Sequence, residues 1–300
     1  MKIALLHKVS IPLLLGLCLL LASYTESSAP IYQGPDIQII GKDFYKDLES
    51  EFNRYSYQID ALENGVPPLV LQNLPGDLNK IQSTKLRKSM FFKAILPMVL
   101  LANDEIRMER NQLLKIDQQL STKKTLTDQQ LQILSTLSKR YKIKFNESQP
   151  ERIIAKLLSR VDTIPEDLAL AQAANESAWG TSRFSLVANN LFGQWTFIPG
   201  QGIIPKDRPE GETYEVRKFS TVYDSVRSYL LNLNTHQAYK QLRQLRTASR
   251  VNGQNPKGLK LAEGLLRYST RGEDYVKELQ AMIRFNQLSR FTTAKLRTSS

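Results

Sequence analysis

Apolar residues recur every three or four positions over most of the sequence from residue 84 onward, the spacing that places them on one helix face. Thr127 and Gln130 have the spacing of a capping box, and Ser148 and Glu151 repeat it. Further helices are expected after Pro165 over 168–178, and over 223–233, 237–246, 258–267 and 272–288. Because so many amphipathic segments must bury their apolar faces against one another, the sequence predicts a mainly α fold.

One stretch interrupts this pattern, between Trp195 and Phe219. Prolines and glycines punctuate it at positions 199, 200, 202, 205, 209 and 211. Residues 213–219 are compatible with a strand. The sequence therefore predicts a loop with a small β-hairpin, with Gly211 at its turn.

The segment before the main helices is less regular. Residues 31–73 mix Gly, Pro and short apolar pieces and predict an irregular arm with one helix near 42–55. A long helix is expected over 84–120, and Pro97 should kink it or split it in two. Its apolar part, 90–102, is too short to cross a bilayer. We expect a helical extension over 30–125, a main domain over 126–290 and a frayed basic tail over 291–300.

The first 29 residues have the layout of a secretory signal. Lys2 and Lys8 lie in a short basic N-terminal region, an apolar run follows, and polar residues end the segment. This predicts export to the periplasm or cell envelope. A retained membrane anchor is the alternative, since the apolar run is only slightly short of a span. Lipidation at Cys18 is not expected, because the preceding Leu17 is bulky.

Composition excludes several chemistries. Without the signal, no cysteine and only His236 remain. Zinc amidases and endopeptidases need clusters of His or Cys ligands, and cysteine peptidases need a thiolate, so we expect neither metal nor cofactor. The formal net charge of +12 favours polyanionic partners. An exported protein meets wall polymers and lipid headgroups, so we expect contact with the membrane surface, through basic charge or an uncleaved signal segment, and not with nucleic acid.

Glu176 lies at the end of an Ala-rich apolar helix beside Trp179. Desolvation at such a place raises the pKa of a carboxyl, as a general acid requires. An ordinary solvated helix glutamate is the competing interpretation.

The wider sequence resembles the glucosaminidase domain of peptidoglycan hydrolases. Four blocks occur in the family's order: Ala-Gln-Ala-x-x-Glu-Ser-x-Trp-Gly-x-Ser at 171–182, Asn-Asn-Leu-Phe-Gly at 189–193, Phe219 to Tyr229, and Tyr268-Ser-Thr with Tyr275. The resemblance covers roughly 126–288 and implies a lysozyme-like helical fold. Asn-Leu-Asn-Thr-His at 232–236 and the upstream extension are similar to the Bax-like branch of this family.

The resemblance implies an enzyme that cuts β-1,4 bonds in peptidoglycan glycan strands, with Glu176 as the proton donor and Tyr268 near the scissile bond. It also implies that substrate-binding residues line the cleft: Trp179, Asn190, Phe192, Trp195 and Tyr223. Packing in the core is an equally good account of the aromatic ones. Arg271-Gly272 stands where the family usually has Asp-Pro, which weakens the assignment of Tyr268.

A second carboxylate has no unambiguous match. Glu210, Glu212 and Glu215 lie in the hairpin, and we favour Glu215, because a strand would hold it on one face with Thr213 and Arg217. A surface ion pair between Glu215 and Arg217 is the alternative. The N-acetyl group of the substrate could also assist catalysis in its place.

Two other functions remain open on sequence grounds: a lytic transglycosylase that releases anhydro sugars, and a non-catalytic cell-wall scaffold on the same fold. A serine peptidase is excluded, since no Lys-Thr-Gly accompanies the Ser-x-x-Lys at Ser121.

Overall fold

The computed structural model describes residues 36–123, 125–206 and 208–297. The expected signal segment, its cleavage and any retained anchor lie outside these residues. Within them, no helix combines the length and apolar character needed to cross a membrane.

Helices dominate the described residues, so the prediction of a mainly α fold is confirmed. Two of them precede residue 126, α1 (Tyr45–Arg54) and α2 (Thr84–Lys123). The others are α3 (Asp128–Arg140), α4 (Pro150–Arg160), α5 (Glu166–Glu176), α6 (Arg183–Ala188), α7 (Val222–Thr235), α8 (Lys240–Val251), α9 (Gly258–Leu261) and α10 (Glu273–Phe285). Short 3₁₀ turns cover Leu78–Lys80, Gln237–Tyr239, Ala262–Leu265 and Leu288–Thr293.

Helix α5 is the centre of the core. Residues 168–174 of this helix are at most 1% exposed, and α2, α9, α10 and the turn Leu288–Thr293 pack around it. Four of these seven residues are alanines, whose small side chains let neighbouring helices approach closely. Residues from 30–125 and from 126–290 belong to one hydrophobic cluster, so the expected extension and main domain share a core.

Helix α2 runs without interruption through Pro97, so the expected split there does not occur. A proline inside a helix removes one backbone hydrogen bond and costs about 3 kcal/mol. Burial offsets that cost, because nearly every residue over 90–102 is buried, including Ile95, Leu96 and Met98 beside the proline. The continuous helix packs against α4, α5 and α7.

Two of the helix starts test the capping predictions. The box at Thr127 is confirmed, since its side chain accepts from the backbone N–H of Gln130, whose side chain bonds back. The box at Ser148 is wrong: α4 begins at Pro150, and its N-terminal residue Gln149 makes no side-chain cap. Proline fixes the backbone angle of a first helical turn, so Pro150 sets the start one residue later.

A three-stranded antiparallel sheet replaces the helical pattern after residue 194. Strand β5 (Glu215–Arg217) lies between β3 (Trp195–Thr196) and β4 (Gly202–Ile203). The β4–β5 pair and its connection through Gly211 form the expected hairpin. A parallel pair between β1 (Gln38–Ile40) and β2 (Leu69–Leu71) was not anticipated, since short apolar pieces near Pro67 and Pro68 carry no clear strand period.

The C-terminal segment is docked up to Arg297, contrary to the expectation that 291–300 is frayed. Phe291 is fully buried, and Leu296 forms a parallel bridge with Val66. The Arg297 guanidinium donates to the carbonyl oxygens of Tyr55 at 2.6 Å and Gly65 at 3.1 Å. Two side chains hold this basic segment in place. Arg297 satisfies the loop carbonyls, and the Phe291 ring fills part of the core.

Candidate active site

Glu176 is the last residue of α5, and its carboxyl is only partly exposed. Burial raises the pKa of this carboxyl above its ordinary value, although a hydrogen bond from Tyr275 and a weaker one from Asn175 oppose the rise. A raised pKa keeps the acid protonated closer to neutral pH, as the sequence led us to expect.

A chain of buried hydrogen bonds fixes the orientation of this carboxyl. The Tyr229 hydroxyl donates to Gln172 Oε1 at 2.6 Å, and Gln172 Nε2 donates to the Tyr275 oxygen at 2.9 Å. The Tyr275 hydroxyl then donates to Glu176 Oε1 at 2.7 Å. Since each proton in the chain points toward Glu176, Oε1 is an acceptor, and the acidic proton of the neutral carboxyl belongs on Oε2.

Tyr268 joins this chain through stacked rings. Its ring lies parallel to that of Tyr275, with centroids 5.5 Å apart, and its hydroxyl donates to the Phe192 carbonyl oxygen at 3.0 Å. Phe192 in turn stacks on Tyr229 at 3.8 Å. The fold thus brings Tyr268 and Phe192 together around the groups that hold Glu176, with Tyr268 half-buried and Phe192 buried.

A strained turn follows Glu176 directly. Ala178, Trp179 and Gly180 all have positive φ angles, of 48°, 60° and 79°. Ser177 stabilises the turn, since its hydroxyl donates to the Ala173 carbonyl at 2.6 Å and accepts from the Gly180 N–H at 2.8 Å. Left-handed conformations at two non-glycine residues cost about 1–2 kcal/mol each, so the surrounding packing must over-determine this turn.

Trp179 is held against α2. Its ring packs edge-on against Phe91 and Phe92, with centroids 5.8 and 5.4 Å away, and Lys88 Nζ lies 4.8 Å from its centroid. The contacts of the Trp179 ring therefore fit the alternative that this residue packs in the core. Tyr275 is the aromatic residue that contacts the Glu176 carboxyl.

The other expected binding residues lie in different surroundings. Asn190 is buried and holds the loop before β3, since its amide donates to the carbonyls of Gln194 at 2.8 Å and Arg217 at 2.9 Å. The Tyr223 hydroxyl donates to Glu105 of α2 at 2.8 Å. Trp195 is 52% exposed, and its ring meets Tyr214 edge-on at 4.6 Å. Among the expected binding residues, Trp195 presents the most open ring to a ligand.

Glu215 is buried in β5, only 7% exposed, so a surface ion pair does not describe it. Its two oxygens accept from the backbone N–H groups of Gly200 at 3.0 Å and Gly202 at 2.8 Å. A Cβ atom at Gly202 would collide with the Val216 carbonyl, so glycine allows this close approach. Glu215 is thus tied to the turn between β3 and β4.

Gln172 is the important site residue that the sequence reasoning did not single out. It is fully buried and lies four residues before Glu176, on the same face of α5. A glutamine among alanines on a buried helix was the available signal, because a buried amide requires partners. Within the described residues, no group of three or more His, Cys, Asp or Glu side chains could hold a metal ion.

Comparisons with known proteins identify the family of this chain. Residues 151–288 match the glucosaminidase family model, described as mannosyl-glycoprotein endo-beta-N-acetylglucosaminidase. The chain is 34% identical over 211 residues to "Protein bax" of Escherichia coli (strain K12), covering 70% of this chain and 74% of that protein. No solved structure matches the chain. The match places the four sequence blocks and Glu176 inside a glycosidase domain, and the chain belongs to the Bax-like proteins that carry a glucosaminidase domain.

Proposed function

We propose that this protein is an exported peptidoglycan hydrolase that cleaves β-1,4 glycosidic bonds of N-acetylglucosamine-containing glycan strands, with Glu176 as the general acid. One observation carries the proposal: Glu176 combines a burial-raised pKa with a fixed orientation, inside a domain of a glycosidase family. These are the properties that protonation of a leaving glycosidic oxygen requires.

In the proposed mechanism, Glu176 delivers the proton on Oε2 while Tyr275 donates to Oε1. As the proton leaves, the Tyr275 hydrogen bond stabilises the carboxylate that forms, because a hydrogen bond to a charged acceptor is stronger than one to a neutral acceptor. The oxocarbenium-like centre needs a second group, either a hairpin carboxylate or the N-acetyl group of the substrate. Glu215 remains our proposed carboxylate, and its bonds to Gly200 and Gly202 make it rigid. The open ring of Trp195 suits the apolar face of a sugar.

The envelope is the proposed place of action, because the substrate is there and the first 29 residues have the layout of an export signal. Fractionation of cells that express the full chain should find it in the periplasm or bound to the envelope. Recovery in the cytosolic fraction alone would contradict export.

The experiment is a zymogram on purified sacculi that compares the wild type with Glu176→Gln. Loss of a positioned general acid lowers rates by about 10²–10⁴-fold, so the variant should clear no sacculi while keeping its fold and its binding to glycan. Circular dichroism and a sacculus pull-down check fold and binding. Clearing at near wild-type rates would contradict the assignment of Glu176.

Mass spectrometry of the wild-type products identifies the reaction. Hydrolysis adds one water at each cut and leaves a reducing sugar, whereas a transglycosylase leaves an anhydro sugar. Anhydro products would contradict the proposed hydrolysis and identify the reaction as transglycosylation.

A further inference from the structure

A concave surface rich in cations lies between α4, α8 and the segment after α3. It encloses about 680 Å³, and we call it the basic groove. Six cationic side chains line it: Lys142, Lys144, Lys156, Arg160, Lys240 and Arg243. No acidic residue lines it, so its positive charge is not neutralised locally.

The helix registers explain why these charges converge. Lys156 and Arg160 are four residues apart on α4, and Lys240 and Arg243 are three apart on α8, so each pair shares a helix face. Across the described part of the chain, none of the six cations lies within ion-pair distance of a carboxylate. Asp162, by contrast, pairs with three nearby arginines outside the groove lining. The groove therefore contains like charges without a counter-charge.

The two arginines of the groove are held rigidly. Arg243 is 6% exposed and donates from one nitrogen to the carbonyls of Leu233 and His236, both at 2.9 Å. Arg160 donates in the same way to the carbonyls of Tyr141 at 2.6 Å and Lys142 at 2.9 Å. Burial, with a smaller effect of Arg160, lowers the pKa of Arg243 to about 10, which leaves it charged at neutral pH. In each arginine one guanidinium nitrogen is occupied by backbone carbonyls, and this fixes the planar group in the wall of the groove.

The basic groove adjoins a second cavity. A second cavity of about 430 Å³ shares Gln237, Lys240 and Gln244 with it. This cavity extends to Leu266 and Arg267, which directly precede Tyr268. The Tyr268 ring stacks on Tyr275, the residue that bonds to Glu176. The second cavity therefore connects the basic groove to the segment of the chain that carries Tyr268.

We propose that the basic groove binds the carboxylate-bearing peptide stems of the peptidoglycan strand whose glycan is cut at Glu176, an inference that rests on the proposed function. The concave shape suits a chain inserted into it better than a flat bilayer surface. Guanidinium groups bind carboxylates through paired hydrogen bonds, and the exposed lysines at the rim add charge without fixed geometry. The groove would select glycan that still carries its stems.

The experiment measures binding by the non-cleaving Glu176→Gln protein to two soluble glycans of equal length, one with intact stems and one stripped of stems by an amidase. The double substitution Lys156→Gln and Lys240→Gln is compared with Lys85→Gln and Lys115→Gln, which removes the same charge from exposed positions on α2. The groove variant should bind stem-bearing glycan at least about fivefold more weakly, since complementary charges across a contact stabilise it. Binding of stripped glycan should stay unchanged, and the α2 variant should behave like the parent.

Several results would overturn the inference. These are equal losses for both glycans, equal losses in the α2 variant, or no loss in either variant. Competition by inorganic phosphate or polyphosphate, with no preference for stem-bearing glycan, would assign the groove to phosphate ligands instead. If the Glu176→Gln protein binds neither glycan, the proposed function itself is contradicted, and this outcome is separate from a failure of the groove alone.

Discussion

At the scale of single residues, the direction of the hydrogen bond between Tyr275 and Glu176 is the most informative feature. Gln172 donates to the Tyr275 oxygen, so the hydroxyl proton of Tyr275 must point elsewhere, and Glu176 accepts it. Burial raises the pKa of Glu176, and the Tyr275 hydrogen bond lowers it again in part. The balance of these two effects should set the pH range of activity.

Replacement of Tyr275 by Phe removes the opposing hydrogen bond and should raise the pKa of Glu176 further. A general acid is active only while protonated, so activity falls as pH rises through that pKa. The alkaline limb of the pH–rate profile should therefore move to higher pH, while kcat drops about tenfold because the carboxyl is less well oriented.

Tyr57→Phe is the matched control, because its buried hydroxyl has no hydrogen-bond partner in the described structure. Its pH–rate profile should follow the wild type. An alkaline limb that stays in place or moves to lower pH in Tyr275→Phe would contradict the role given to Tyr275.

Glu215→Gln should lower both turnover and stability. Glu215 accepts two backbone N–H groups, and a Gln amide can accept through only one oxygen. We expect turnover to fall at least about tenfold and stability by about 1–2 kcal/mol. Glu210→Gln and Glu212→Gln are controls, since both side chains are exposed. If folded Glu215→Gln kept full turnover, Glu215 would not be the second catalytic group, and the N-acetyl group of the substrate would take its place.

At the scale of elements, α5 is joined to its neighbours through acids in its first turn. Glu166 accepts from the Asn103 amide of α2 at 2.9 Å, and Asp167 accepts from the Ser289 hydroxyl at 3.1 Å. Gly258 of α9 lies so close to Asp167 that a Cβ atom there would collide with its carboxyl. Burial raises the pKa of Glu166 to about 7. We therefore expect the junction between α2 and α5 to respond to pH.

This sensitivity predicts the behaviour of Glu166→Gln. The folded state holds the Glu166 proton more tightly than the unfolded chain, so the contribution to stability is full below the ordinary pKa of glutamate. It declines as pH rises through the raised pKa near 7. Glutamine keeps the acceptor for Asn103 and cannot ionise. The variant should thus be more stable than the wild type at pH 8, by up to about 3 kcal/mol, and should match it more closely at pH 5.

Urea denaturation at pH 5 and pH 8 measures this difference. Glu63→Gln serves as the control, since Glu63 is exposed. The explanation would be wrong if Glu166→Gln lost stability at pH 8 and kept the wild-type dependence on pH.

At the scale of the whole molecule, segments far apart in the sequence close on one another. Arg297 and Leu296 bind the loop around Val66, and Lys88 of α2 donates to Asn286 at 2.8 Å. The segment before residue 126 therefore supports the helices that hold Glu176.

The composition of the whole chain predicts activity without a metal. Outside the expected signal the sequence has one histidine and no cysteine, too few for the usual zinc site. The rate at which the protein clears sacculi in EDTA should stay within about twofold of the untreated rate. A zinc endopeptidase serves as the control, because EDTA should inactivate it. Complete loss of activity that zinc restores would show a different chemistry.

The sequence by itself determined what depends on neighbours a few residues apart. Helical spacing and the Thr127 box follow rules that act over three or four positions, and the motif around Glu176 is a contiguous run of residues. The tertiary structure alone decided the rest. It joins Tyr275 to Glu176 across 99 residues, docks Arg297 beside Gly65, and carries α2 through Pro97. These outcomes depend on which distant side chains share the core. Apolar burial there offsets the cost of the backbone hydrogen bond that Pro97 removes. Hydrogen-bond partners from distant segments satisfy the buried polar groups that no local pattern pairs.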